Sequence, residues 1–313
     1  MNYNTLVLSG GSVRTICELG SIQYYNDTKR LADVDLIVSS SASSIIAYLL
    51  IIGYTPIEML NIVCSHPLFT TDLPVLDMVS LLSRKGGMTF STLRDLLETL
   101  TIDKVGQLMT IGKLYDLFKI RLVVATFNYD SKDMEFLSPD TTPDIPCITA
   151  IQMSCALPFI FQEYKYMGCR YIDPGVVEPI PLSYLETLDL TERKVLAIAI
   201  EPYLYEDPEN STELYPLFHN ITFLPTRMLL RIHLSKLHKS IDVVDLNIET
   251  HFLNYYLNTK EKFDMFTFGY QRACVVDAPE APVDQKGADS LVDSEEALDE
   301  PSCHEELDPV MEV

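Results

Sequence analysis

A serine, an aspartate and two glycines, far apart in the chain, have the types and settings that nucleophilic acyl chemistry requires. Ser41 lies in VSSSASS, residues 38–44, where a strand-like run turns directly into an apolar helix-like run. A serine at the apex of such a turn stands exposed at the C-terminal edge of a sheet. Gly10 and Gly11 follow NTLVL, residues 4–8, and precede a helical pattern, so their backbone N–H groups can face an anion at the positive end of the helix dipole. Asp173 sits in a tight turn before Pro174 and Gly175. A serine hydroxyl needs a base within hydrogen-bond reach, and the tetrahedral intermediate needs donors aimed at its oxygen. Each feature also has a plain structural reading: an N-cap serine, a packing turn, a turn-forming aspartate.

The elements that must position these residues are legible as patterns. Residues 4–8 form a short buried strand, residues 13–25 have helical spacing, and residues 35–38 (DLIV) are a second strand. Residues 45–53 (IIAYLLIIG) form a helix apolar on nearly every side, which must be buried. Thr55, Pro56 and Glu58 supply a cap, a proline at the first helical position and an acid at the third, starting a helix that runs to about Cys64. Residues 72–112 are helical with loops, including an amphipathic helix at 91–100. Further strands fall at 120–125 (IRLVVA), 134–137, 171–172 and 194–200 (KVLAIAI). Strands alternating with helices argue for a layered α/β fold with a largely parallel sheet.

Composition excludes several function classes. The net charge of −22 leaves no basic excess to displace phosphate counterions, so nucleic acid is not an expected partner. Half of that charge lies in residues 278–313, which carry twelve acids against Lys286 and read as a solvated, disordered acidic tail beyond a domain at 1–277. The longest apolar run is far shorter than the roughly 20 residues a membrane span needs, and the N-terminus lacks a secretory pattern, which predicts a cytoplasmic protein. Seven cysteines without metal-type spacing predict free thiols and no structural zinc. None of His66, His219, His233, His238, His251 or His304 has the setting of a triad histidine.

Taken together, GGSVRT (10–15), SSSAS (39–43), SCALPFIF (154–161) and IDPG (172–175) resemble, in order and spacing, four hallmarks of the patatin-like phospholipase family. Those hallmarks are a GGGxRG anion loop, a GxSxG nucleophile elbow, an ASxAxPxxF segment and an Asp-Gly turn. MTFSTLRDLL, TIGKLYDLF and TFGYQRA extend the resemblance over roughly residues 3–275. It implies a three-layer α/β/α patatin-like fold with a largely parallel central sheet. It also implies a Ser-Asp dyad of Ser41 and Asp173, an oxyanion loop of Gly10, Gly11 and Ser12 with Arg14 as its arginine, and no metal or cofactor. Ser39 and Ser43 stand where the elbow has glycines, Ser12 and Thr15 replace two loop glycines, and Pro174 replaces the glycine after the aspartate.

The implied activity is hydrolysis of fatty acyl esters of phospholipids or acylglycerols through an acyl-serine intermediate. A catalytically silent relative that binds lipid or a protein partner is the competing reading, since relaxed elbow glycines would suit it. Residues 226–240 (TRMLLRIHLSKLHKS) alternate Arg227, Arg231, Lys236 and Lys239 with apolar residues, a pattern that fits either a core-facing helix or docking at a membrane or lipid-droplet surface.

Overall fold

The computed structural model describes residues 2–69, 90–158, 161, 164–202, 204, 214–248 and 257–278. The helical stretch expected within 72–89 and the acidic segment from 279 onward lie outside these residues. The apolar runs become strands: β1 (Thr5–Leu8), β2 (Leu36–Ser40), β3 (Arg121–Asn128) and β7 (Val195–Ile200) are almost wholly buried. Together with β4 (Asp133–Leu137), β5 (Tyr164–Tyr166), β6 (Cys169–Ile172) and β8 (Ile241–Leu246) they form one sheet of order β5-β6-β3-β2-β1-β7-β8, with β4 also on β3. β3, β2, β1, β7 and β8 run parallel, whereas β4 and β6 are antiparallel to β3.

Alternation along the strands splits the apolar interior into two cores. Leu6, Leu8, Ile37, Val124, Ile198 and Leu246 face one way, while Val7, Val38, Val123, Ala197 and Val243 face the other. The first core is covered by α1 (Thr15–Asp27), α2 (Ser43–Ile51), α3 (Pro56–Ser65), α4 (Ser91–Val105), α5 (Ile111–Phe118), α6 (Cys147–Ser154) and α8 (Thr259–Asp277). The second is covered by short 3-10 turns between Pro174 and Glu192 and by α7 (Leu214–Leu234), which contributes Leu230. The result is the expected three-layer α/β/α arrangement with a mostly parallel sheet.

Local chemistry explains the boundaries. Thr55 accepts from the Glu58 N–H at 3.2 Å and Glu58 returns a bond from the Thr55 N–H at 2.7 Å, a complete capping box on α3. The amphipathic helix expected at 91–100 extends to Val105 and stops at Gly106, whose φ of +82° provides the left-handed cap. The segment 226–240 differs from expectation. Its helix begins earlier, at Leu214, with Pro225 inside it, and ends at Leu234, after which the chain turns into β8. β8 carries Asp242 and Asp245, which mask its strand pattern; Asp242 is paired by Tyr3 and Lys194.

Candidate active site

β1 and β2 are adjacent, parallel and in register, Leu8 opposite Ser39, so the segments leaving their C-terminal ends meet. One is the glycine loop and the other carries Ser41, which places the site at the carboxyl edge of the sheet. Ser41 has φ +53°, a left-handed conformation costing roughly 1–2 kcal/mol for a residue with a Cβ. Its neighbours hold it there. The Ser41 N–H donates to Ser154 Oγ at 2.7 Å, and the Ser41 carbonyl accepts from the Ser44 N–H at 2.9 Å in the first turn of α2.

Asp173 arrives from β6, directly after Ile172, which pairs with Phe127 of β3. The Ser41 hydroxyl donates to Asp173 Oδ2 in a short hydrogen bond, and Asp173 Oδ1 accepts from the Gly175 N–H at 2.8 Å. Pro174 is compatible with this aim. It occupies the first position of a 3-10 turn, where its missing N–H would have no partner, and it keeps Asp173 extended at ψ +125°. The Asp173 N–H donates to the Ala156 carbonyl at 3.0 Å. Residues 154–156 therefore hold both Ser41 and Asp173, a role for Ser154 that sequence reasoning missed although it singled out the SCALPF segment. Asp173 is 3% exposed, and burial pushes its carboxyl up to about 6, opposed by the bonds from Ser41 and Gly175.

The structure separates the residues of the glycine loop by task. Gly10 donates its N–H to the Pro179 carbonyl at 2.7 Å, so what it contributes is the lack of a side chain: a Cβ there would lie 2.9 Å from Ser41 Cβ. Gly11 and Ser12, with φ +53° at Ser12, form the turn into α1 beside Ser41. Arg14 is 5% exposed and donates to the carbonyls of Gly11 and Glu201, at 3.3 and 2.7 Å, which ties the loop to the end of β7. Its position is that of a strut. Ser39 is buried, its hydroxyl 3.3 Å from both Ser44 Oγ and the Val123 carbonyl; Ser43 is buried against the Ser9 carbonyl at 2.5 Å.

Two cavities meet at Ser41 and Asp173. The larger, of about 200 Å³, is walled by Ile16, Ile45, Leu49, Met59, Leu97 and Phe161 and is almost wholly apolar. The smaller, of about 60 Å³, runs along Gly10, Gly11 and Ser12 to Ile200, Pro202 and Phe223. No histidine lines either cavity, and no cluster of three potential metal ligands occurs, among the described residues.

A model of the patatin-like phospholipase family matches residues 6–186, more than half of the chain. The chain is similar to "Probable lipid hydrolase 463L" of Invertebrate iridescent virus 6, with 29% identity over 184 residues, 58% of this chain and 62% of the relative, so it spans less than two thirds of that protein. Among solved structures, VipD from Legionella pneumophila matches 88% of this chain and 67% of its own at TM-score 0.54 and 16% identity, a likeness of fold. The ExoU–SpcU complex from Pseudomonas aeruginosa matches 88% of this chain and 51% of its own at TM-score 0.48 and 17% identity. Motif order, site geometry and family match agree: the chain belongs to the patatin-like phospholipase family.

Proposed function

We propose that this protein hydrolyses fatty acyl esters of phospholipids or acylglycerols through an acyl-Ser41 intermediate, with Asp173 as the only side-chain partner of the nucleophile. The observation that carries the reading is the Ser41–Asp173 hydrogen bond at the mouth of an apolar cavity. The cavity accepts the acyl chain, and the carbonyl carbon comes to rest over Ser41 Oγ. Ser41 Oγ then bonds to that carbon while its proton passes to Asp173. The negative oxygen of the tetrahedral intermediate faces the Gly11 turn and the N-terminus of α1. Collapse expels the alcohol, which takes the proton; water repeats the sequence on the acyl-serine and releases the fatty acid. A carboxyl raised to about 6 suits this role better than an ordinary aspartate, because a base works best when its pKa lies near the working pH.

Access to lipid falls to α7. Ile221, Leu224, Met228, Leu229 and Ile232 are exposed on it, Met228 by 56%, and Phe223 of the same helix lines the smaller cavity. Arg227 and Arg231 pair with Glu201 at 2.9 and 3.0 Å, so the apolar stripe, rather than these cations, is the docking feature. The hydrolase unit is residues 1–277, and 278–313 is an acidic extension.

The test is fatty-acid release from phospholipid vesicles and from a short-chain ester by wild type, Ser41→Ala and Asp173→Asn. Both variants should stay folded and lose turnover by roughly ten-thousand-fold or more. A folded wild type as inert as Ser41→Ala across a broad lipid panel would favour the silent, lipid-binding reading.

A further inference from the structure

Beneath the elbow lies a carboxyl group that the dyad does not use. Glu18 of α1 is 0% exposed, and no Lys, Arg or His pairs with it among the described residues. The charged groups of neighbouring elements are engaged elsewhere. Arg14 bonds the carbonyls of Gly11 and Glu201, Lys262 of α8 bonds those of Val63 and Phe69, Asp277 pairs with Arg30, and Glu58 of α3 pairs with Lys104. Cys17, beside it on the same helix, has its thiol pushed up by burial and by Glu18 itself. Among the described residues only Ser9, just after β1, and Ser43, at the start of α2, bond it.

The hydrogens in this contact can be counted. Ser43 Oγ lies 2.5 Å from the Ser9 carbonyl and also makes a short contact with Glu18 Oε2. A hydroxyl has one proton, and three oxygens in line need two. The Ser9 carbonyl can only accept, so the second proton belongs to the carboxyl. Oε1 is the acceptor of the pair: the Ser9 N–H, shared with the Ile198 carbonyl, lies 3.1 Å from it, and Ser9 Oγ 3.5 Å. Oε2 is left to carry the hydrogen.

Resting on the hydrolase reading for its consequence, though not for its chemistry, we propose that Glu18 is a neutral carboxylic acid that donates to Ser43, which donates on to the Ser9 carbonyl, fixing the glycine loop against the nucleophile elbow. Burial without a counter-charge raises the Glu18 carboxyl well above its ordinary value, in the same direction. The relay joins the two segments whose separation sets the distance from Ser41 to the Gly11 turn. Glu18 is thus a positioning residue, and it accounts for a serine at position 43: the hydroxyl there is the middle of the relay.

Glu18→Gln keeps an acceptor toward Ser9 and a donor toward Ser43 without a titrating proton, whereas Glu18→Leu keeps only bulk. A folded-state carboxyl held above its unfolded value contributes stability that is present at low pH and lost as pH rises. The thermal midpoint of Glu18→Gln relative to wild type, followed from about pH 5 to about pH 9, should therefore climb; Asp173 is common to both proteins and cancels. A flat difference overturns the proposal. Infrared difference spectra of the same pair at mildly alkaline pH should contain the protonated-carboxyl carbonyl band of wild type, and its absence would also overturn it. Neither measurement needs turnover, so both remain decisive even if Ser41→Ala is no less active than wild type, the result that would sink the hydrolase reading alone. In turnover, Glu18→Leu should lower kcat about tenfold or more at unchanged KM, with glutamine restoring it to within about threefold. Full activity in folded Glu18→Leu refutes the positioning role. Should the leucine variant not fold, Ser43→Ala breaks the relay from the other side and is expected to give the same loss.

Discussion

At the scale of single residues, the site is built from groups held in states they would not choose in water. Ser41 sits in a left-handed backbone conformation because Ser154 and Ser44 bond its two peptide groups. Burial raises the pKa of Asp173 to about 6, against the pull of the two hydrogen bonds it accepts. In the proposed mechanism the working form is the carboxylate, so kcat/KM should be low in acid, rise through about pH 6 and level off above it; a profile flat through that region would remove Asp173 as the base. The same shift has a stability consequence of opposite sense. A carboxyl raised in the folded state contributes stability below its unfolded pKa of about 3.9 that is lost as pH rises through about 6. Asp173→Asn should therefore be inactive yet melt above wild type at neutral pH, as measured by thermal denaturation.

At the scale of elements, what aims the loop is the seating of α1. Helices α1 and α8 approach until their backbones nearly touch. A Cβ on Gly20 would lie 1.9 Å from the Phe266 carbonyl oxygen, and one on Gly269 would lie 1.8 Å from that of Cys17. Ser21 donates to the Gly269 carbonyl at 2.8 Å across the same crossing. Gly20→Ala or Gly269→Ala must push the helices apart and should destabilise by about 3 kcal/mol or more, at the upper end of what overpacking costs, measurable as a lower denaturant midpoint. Because α1 starts at the glycine loop, activity in either variant should fall before the fold is lost. A substitution of Gly53, whose added Cβ would meet nothing within 4 Å, is a useful contrast, since only its φ of +96° resists a side chain.

At the scale of the whole molecule, charge and apolar surface oppose one another. With a net charge of −22 the protein is repelled by anionic membranes, and both arginines of α7 are occupied by Glu201. Docking on anionic vesicles through the stripe at Ile221, Leu224 and Met228 should thus not weaken as salt is added, since salt screens the repulsion and leaves apolar burial in place. Replacing those three by glutamine should cut hydrolysis of vesicle lipid at least about tenfold while sparing a dissolved short-chain ester. Equal losses on both substrates would assign the stripe to folding instead. Truncation after Asp277 removes half of the net negative charge and should leave ester turnover unchanged; a loss would make the acidic segment part of the working unit.

The amino-acid sequence by itself determined the parts list. Hydrophobic periodicity and cap chemistry are local, so four of the five parallel strands, the capping box at Thr55 and Glu58 and the order of the four motifs were readable along the chain, whereas β8 was hidden by its two aspartates. What a one-dimensional pattern does not contain is which groups share a space. Ala156 and Gly175 hold Asp173 through peptide C=O and N–H groups that every residue has, Ser154 holds the Ser41 N–H through its hydroxyl, and the pairing of β6 with β3 brings Asp173 to Ser41. Arg14 and Gly10 look alike as loop residues in the sequence, yet the carbonyls of Glu201 and Pro179, about 190 and 170 positions away, decided that one is a strut and the other a gap. Glu18 carried no sequence signal at all, because an acid in a helix is ordinarily a solvated one; its burial, and the proton it must then keep, come entirely from the packing of α1 beneath the elbow.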